Sequence, residues 1–240
     1  MDSGDASRYS AGVDDDYESL LSTTDAELLK RAWRNEKSAP EILQYETALV
    51  QRSREQTQLM EETVEDFFKN GVDPLTASLY QMDRDRTLFL LISYLRTRLK
   101  GMSLKRDLFA RHRISSLSIK NYAFHIQKIT DLWNRLSKQE QKFVERCIDD
   151  MEQHLDQSVL SKLPHGFKSH LKQSSLSLGD DMVPEPQLHQ YVICRSKRLL
   201  GSFQLDDSGE EPVNIEANDL YVLPYKSIKP LVESGQIDLV

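Results

Sequence analysis

Glycine and cysteine are both scarce in this chain. It has nine glycines in 240 residues, too few for a Gly-rich catalytic α/β fold, and none lies in a phosphate-binding loop. It has no Gly-x-Ser-x-Gly elbow and no His-Glu-x-x-His pair. Its two cysteines, Cys147 and Cys194, are far apart, which argues against a disulfide framework and favours a reducing compartment. We therefore expect no catalytic residues, no metal site and no cofactor, and we do not expect an enzyme.

A basic excess and long apolar runs are also absent. The net charge is −7, which argues against a general nucleic-acid-binding surface. The basic stretch 100–113 is interpreted either as a solvated face or as a contact to DNA or a partner. The N-terminus is acidic and polar, unlike a signal peptide, and no run has transmembrane length. A hydrophobic fraction of 39% and a charged fraction of 29% are typical of a soluble globular protein. Together with the scarce cysteines, the lack of these segments predicts the cytosol or nucleus.

The most informative segment is the stretch 75–100. It contains no proline and no glycine, and Leu88 to Leu95 is apolar at every position but Ser93. This pattern predicts a long helix that is buried on more than one face. A single small helical layer rarely covers such a helix, which favours another chain as part of its cover.

Four arginines flank this apolar centre, and two interpretations of them stay open. They pair within the helix with Asp83 and Asp85, or they form ion pairs between elements or between chains, for which arginine is the suited cation. The second interpretation predicts buried or interfacial ion pairs. The four residues are Arg84, Arg86, Arg96 and Arg98.

The remaining helices are predicted from capping signals and periodicity. Capping boxes at Thr24 and Ser137 open the first and last helices of the bundle. Ala39-Pro40 is predicted to open a second helix that ends at Asn70-Gly71. Gly101 interrupts the pattern, and a helical period resumes over 119–136.

The fold class that follows is mainly α with a small C-terminal β-rich domain, α+β overall. The predicted order is a helical bundle, a linker rich in turn residues, and short β-type runs. The predicted boundaries are 1–22 for a disordered acidic tail, 23–160 for the α-helical domain, 161–188 for the linker and 189–240 for the small β-rich domain. The β module is too small to be stable alone and is expected to dock, with Ile237, Leu239 and Val240 as its apolar end.

Several short motifs, in order, resemble one family. The chain is similar to the Sld-five subunits of the eukaryotic GINS complex over most of residues 24–240. The residues that carry this resemblance are Trp33, Asn35-Glu36-Lys37, Ala39-Pro40-Glu41, Met60-Glu61-Glu62, Gln81-Met82-Asp83-Arg84, Ser93-Tyr94-Leu95-Arg96-Thr97-Arg98-Leu99, Tyr225-Lys226-Ser227-Ile228 and Leu231-Val232-Glu233-Ser234-Gly235.

The resemblance implies a non-catalytic scaffold subunit in a nuclear heterotetramer with the Psf-one, Psf-two and Psf-three subunits. That tetramer would join the MCM ATPase ring to the Cdc-forty-five protein in the replicative DNA helicase, with DNA contact at most indirect and no membrane partner. The alternative is a helical adaptor or tethering subunit of a complex outside replication. The hypothetical partner-interface residues are Trp33, Arg84, Arg86, Phe89, Tyr94, Arg96, Arg98, Tyr225, Lys226, Leu231, Ile237, Leu239 and Val240.

The acidic tail carries a further hypothesis. Tyr17, Leu20 and Leu21 share one face of a transient helix that begins in an acidic cluster. Such a segment resembles the tail peptides by which some replisome subunits bind a trimeric hub protein. The alternative is a solubilising tail that leads into the first helix.

Overall fold

The computed structural model of the protein describes residues 24–104, 122–164, 171–172, 183, 185–205 and 212–240. The helices are α1 (Asp25–Ser38), α2 (Thr47–Lys69), α3 (Pro74–Leu104), α4 (Tyr122–Lys128), α5 (Thr130–Asn134), α6 (Lys138–Ser158) and α7 (Tyr225–Glu233), with a 3₁₀ turn at Leu160–Lys162. The strands are β1 (Tyr191–Ser196), β2 (Gly201–Phe203), β3 (Val213–Ile215), β4 (Leu220–Pro224) and β5 (Ile237–Leu239). This confirms the predicted fold class. No helix in these ranges is long and apolar enough to cross a membrane.

The chain divides into two compact units. The first contains the described residues up to Trp33 together with Glu46–Leu95, and the second contains Arg34–Tyr45 together with the described residues from Arg96 to Val240. The domain boundaries predicted from composition stay predictions.

Capping signals predicted two helix starts well. The Glu27 N–H donates to the Thr24 hydroxyl (3.4 Å) before α1. Ser137 caps α6 with a complete capping box, in which Ser137 and Glu140 each accept the other's backbone N–H.

The predicted start of the second helix at Ala39-Pro40 is wrong, because α2 begins at Thr47. The intervening segment 39–46 is not helical, since its backbone polar groups bond to distant residues instead of to each other. The Leu43 N–H donates to Glu36 Oε2 (3.3 Å), and the Tyr45 N–H donates to the carbonyl of Arg135 (2.9 Å). The predicted end is confirmed, with Asn70 as the C-cap and Gly71 at φ 66°.

The prediction that Gly101 interrupts the long helix is also wrong. Helix α3 continues through Gly101 to Leu104. A glycine inside a helix costs only about 0.5–1 kcal/mol relative to alanine, too little to end a helix of this length. The next predicted helical stretch is instead split, because Ile129 takes an extended backbone (φ −100°, ψ 109°) between α4 and α5.

The second unit has two hydrophobic cores. The helical core comes from Ile42, Met102, Tyr122, Ala123, Phe124, Ile126, Leu132, Leu136, Val144, Ile148 and Met151. The core of the β module comes from Ala39, Val192, Cys194, Ile215, Leu223, Tyr225, Ile228, Val232, Ile237 and Leu239. Because Ala39 belongs to the second core and Ile42 to the first, the segment 39–46 contributes to both.

The β module contains two antiparallel sheets. One has the strand order β4-β1-β5, and the other pairs β2 with β3. The helical turn predicted near Ile228 is a longer helix, α7, whose Tyr225, Ile228 and Val232 are buried. Strand β5 lies at a sheet edge with Ile237 and Leu239 buried, which confirms the predicted edge strand packed on one side.

Candidate functional site

Arg98, near the end of α3, is the centre of a buried ion-pair network. Its side chain is completely buried. It donates from Nε to Glu140 Oε1 (2.7 Å), from Nη2 to Glu140 Oε2 (3.2 Å) and from Nη1 to Glu36 Oε2 (3.0 Å). It also donates to the carbonyls of Leu43 (2.8 Å) and Arg135 (3.3 Å). These five bonds equal the five N–H groups of a guanidinium, so the hydrogen-bonding capacity of Arg98 is fully used inside the chain.

The second cation of the network is Arg135, which follows α5. It donates from Nη1 to Glu41 Oε1 (3.3 Å) and to the Ile42 carbonyl (3.3 Å). From Nη2 it donates to Asp131 Oδ2 (2.7 Å) and to Glu233 Oε1 (2.8 Å). Burial acts to lower the pKa of Arg135, but these three carboxylates outweigh it and raise the pKa. Arg135 is therefore a permanent cation that joins the segment 39–46 to helix α7.

Glu41 is the carboxylate through which the segment 39–46 contacts helix α7. Its buried Oε1 accepts from Arg135, from the Tyr225 hydroxyl (3.2 Å) and from Lys229 Nζ (2.7 Å). Burial and then the charge of Glu41 raise the pKa of Tyr225, so its hydroxyl stays protonated and acts as a donor. Two residues of α7 thus bond to one carboxylate in the segment 39–46.

The C-terminus of the chain is held by the end of α1. The Leu239 N–H donates to Asn35 Oδ1 (2.7 Å), and the Ser38 hydroxyl donates to the Val240 carbonyl (3.1 Å). The Val240 N–H donates to the carbonyl of Ile193 in β1 (3.0 Å). The last residues therefore dock on the chain itself, and the network and this contact fix the β module to the segment 34–45.

The first unit presents a different feature, an apolar stripe along the exposed side of α3. Four of its large apolar side chains are between 57% and 66% exposed and follow each other at spacings of four, three and seven residues. This is the spacing of one helix face. The stripe consists of Leu75, Leu79, Met82 and Phe89. Arg86, which is also exposed, occupies the position between Met82 and Phe89 in the same spacing.

Side-chain contacts join the three helices of this unit in pairs. The rings of Trp33 and Phe89 meet edge to face with centroids 6.4 Å apart. Arg52 Nη2 in α2 lies 2.9 Å from Asp25 Oδ1 in α1. Arg84 Nη2 donates to its neighbour Asp85 Oδ1 (2.8 Å), and its Nη1 lies 3.6 Å from Glu61 Oε1 in α2.

The residues predicted for a partner interface fall into three groups by exposure. The exposed residues are Arg86, Phe89, Arg96, Lys226 and Val240. The half-buried residues are Trp33, Arg84 and Leu231. The buried residues are Tyr94, Arg98, Tyr225, Ile237 and Leu239, which hold the fold of the chain itself. Tyr17, Leu20 and Leu21 of the predicted tail peptide lie outside the described residues.

The carboxylates around the two buried arginines, and Arg135 itself, were not predicted from the sequence. One signal was available for Arg98, because it continues the buried face of α3 marked by Thr87, Leu91 and Tyr94 at spacings of three and four. A charged residue on a buried helix face requires a partner. For Glu41 the sequence carries no such signal, because this residue lies in the irregular segment 39–46.

A family model described as DNA replication complex GINS protein SLD5 C-terminus matches residues 186–240. The DNA replication complex GINS protein SLD5 of Arabidopsis thaliana is 52% identical over 237 residues, which cover 98% of this chain and 100% of the relative. The proteins of the same name from Bos taurus and Homo sapiens are 30% identical over 234 residues and 29% identical over 224 residues. These alignments cover 95% of both chains for the bovine protein, and 90% of this chain and 91% of the relative for the human protein. The chain belongs to the family of the DNA replication complex GINS protein SLD5.

Proposed function

We propose that this chain is a non-catalytic scaffold subunit of the GINS heterotetramer, with the Psf-one, Psf-two and Psf-three subunits as its partners. In this proposal the tetramer joins the MCM ATPase ring to the Cdc-forty-five protein in the replicative DNA helicase. The chain then works in the nucleus during initiation and elongation of replication, and its contact with DNA is at most indirect. The names of the related proteins support the assignment to a DNA replication complex.

The observation that carries the proposal is the exposed apolar stripe of α3. Leu75, Leu79, Met82 and Phe89 each leave more than half of their surface in contact with solvent. Apolar residues at spacings of three and four form a seam that another helix can pack against. The exposed Arg86 within the stripe would then form an ion pair across the interface, and the exposed Arg96 is a second candidate for such a pair.

The buried network supports the scaffold part of the proposal. Arg98 has all its donors bound inside the protein. Arg135 and Glu41 bond to Glu233 and Tyr225 of α7. Such a network gives the second unit a fixed arrangement of its helices and its β module. A scaffold needs this property, because its partners must meet surfaces in a defined geometry.

Co-expression tests the proposal. The chain expressed alone should give aggregates or poor yield, because the apolar stripe is uncovered. Co-expression with the three partner subunits should rescue it, and native mass spectrometry should show one copy of each chain. A well-behaved monomer with a sharp cooperative melt, and no association with the three subunits, would contradict the proposal. That result would favour the alternative, an adaptor or tethering subunit of a complex outside replication.

A further inference from the structure

The β4-β1-β5 sheet of the second unit has a second apolar face, which α7 does not cover. On the inner face, Val192, Cys194, Leu223 and Leu239 are buried in the core of the β module. On the outer face, Ile193 lies opposite Val222, and Tyr191 lies opposite Pro224. Val240 continues the row on the far side of Ile193, to whose carbonyl it donates its N–H (3.0 Å).

Five apolar side chains of the outer face are about half exposed or more. Tyr191 is 66% exposed, Ile193 50%, Leu220 56%, Val222 62% and Val240 48%. Because side chains directly opposite on paired strands lie about 5 Å apart, these residues form one continuous patch. A patch of this kind presents several hundred Å², the upper range for a free protein surface and a frequent mark of an interaction site.

The dimensions of the patch fit one α-helix. Three strands about 4.8 Å apart give a sheet roughly 10–14 Å wide, and a helix with side chains is about 10–12 Å across. The inner face of the same sheet already has this arrangement, since the single helix α7 contributes Tyr225, Ile228 and Val232 to its core. The area is smaller than the roughly 800 Å² per partner of a stable interface, so binding of a single helix here would be reversible.

The charged residues at one end of the patch indicate which charges a bound helix would carry. Arg195 lies in β1 between Leu220 of β4 and Asp238 of β5, and it is exposed. Arg198 follows β1 and is also exposed, whereas Lys197 lies 3.0 Å from Asp238 Oδ1 of β5. The described residues at this end therefore offer two exposed guanidinium groups. These groups suit carboxylates on the partner.

We propose that the outer face of this sheet binds one amphipathic helix of a protein other than the three tetramer subunits. The helix presents apolar residues at spacings of three and four to Ile193 and Val222. It carries acidic residues at the end that meets Arg195. This surface is separate from the stripe of α3 on which the proposed function rests, so each can fail without the other.

The test uses the full chain in its co-expressed complex and a synthetic probe. The probe is a fluorescein-labelled peptide of about 14 residues, enough to span a strand of about 20 Å at 1.5 Å per residue. It has leucines at spacings of three and four and glutamates at one end. We expect saturable binding in fluorescence anisotropy that Ile193→Asp weakens at least tenfold. Val159→Asp, which changes an apolar side chain 49% exposed after α6, should leave binding unchanged. Replacing the glutamates of the peptide by lysines should weaken binding severalfold.

Several results would overturn the inference. They are no binding of the peptide, equal binding to the Ile193→Asp variant, or self-association of the complex that Ile193→Asp abolishes, which would identify a second copy as the occupant. A photo-crosslinking residue at position 193 that captures one of the three tetramer subunits would also overturn it. A complex that forms but does not bind the peptide contradicts this inference alone. A chain that binds the peptide but forms no complex contradicts the proposed function alone.

Discussion

Glu140 holds Arg98 with both oxygens of its carboxylate, at 2.7 Å from Nε and 3.2 Å from Nη2. The same Glu140 Oε2 accepts the backbone N–H of Ser137 (2.8 Å), which closes the capping box at the start of α6. One carboxylate therefore starts a helix and neutralises a buried cation of another helix. Its position is fixed by local sequence, so the capping box also orients the ion pair.

Replacing Arg98 should be among the most damaging single changes in the chain. Arg98→Met leaves the buried carboxylates of Glu36 and Glu140 without their cation, which typically costs about 3–5 kcal/mol. Urea denaturation of the co-expressed complex should show this loss, and Arg34→Ala, at an exposed arginine, should be close to neutral. Adding Glu36→Gln and Glu140→Gln to Arg98→Met should recover part of the stability. Wild-type stability in the variant that carries Arg98→Met alone would show that the network does not hold the fold.

Substitutions at the contacts between Glu41 and α7 should destabilise the protein more as they remove more interactions. Tyr225→Phe removes one hydrogen bond and should cost about 1 kcal/mol. Glu41→Gln removes the charge shared by Arg135 and Lys229, and it should cost more. Hydrogen exchange followed by mass spectrometry should show faster exchange in α7 in both variants, and more so in the second. Equal exchange in α7 for wild type and Glu41→Gln would contradict the assigned role.

Deleting residues 237–240 should weaken the attachment of the β module. The deletion removes β5 and its pairing with β1. It also removes the hydrogen bonds that join Leu239 to Asn35 and Val240 to Ser38. We expect lower yield of the co-expressed complex and faster hydrogen exchange in β1. Deletion of Val240 alone, which keeps Ile237 and Leu239, should have a smaller effect. Normal assembly and exchange after the four-residue deletion would show that the end of the chain is dispensable.

Stability should fall on mild acidification because of His125. Burial lowers the pKa of His125 from its usual 6.5, an effect that Glu185 and Glu41 oppose. Below pH 6.5 the unfolded chain binds the proton more readily than the folded chain, so stability is lost as pH decreases from about 6.5 toward the lowered pKa. His125→Gln should flatten this part of the stability curve in denaturation experiments between pH 7 and 5. An unchanged slope in the variant would assign the acid sensitivity to other groups.

Local signals in the sequence predicted much of the fold. Capping residues predicted the starts of α1 and α6, and Asn70-Gly71 predicted the end of α2, because caps act over a few residues. Alternating apolar residues similarly predicted the edge strand β5.

The errors arose where distant residues decide the structure. Pro40 favours a helix start by local rules, but the backbone of the segment 39–46 bonds to Glu36, Arg98 and Arg135. No local pattern encodes these partners. The arginines of α3 are conspicuous in the sequence. The carboxylates that bind Arg98 are distant from it along the chain, so only the structure identifies them.

Native mass spectrometry of the chain co-expressed with the three partner subunits tests whether the α3 stripe builds the complex. Four proteins are compared: wild type, Phe89→Asp in the exposed stripe of α3, Arg96→Ala, and Val159→Asp as an exposed apolar control outside the stripe. We expect a complex with one copy of each subunit for wild type and the control, a strong loss for Phe89→Asp, and a weaker complex for Arg96→Ala. A wild-type chain that stays monomeric, or a Phe89→Asp chain that assembles as wild type does, would contradict the proposal that the α3 stripe builds the complex.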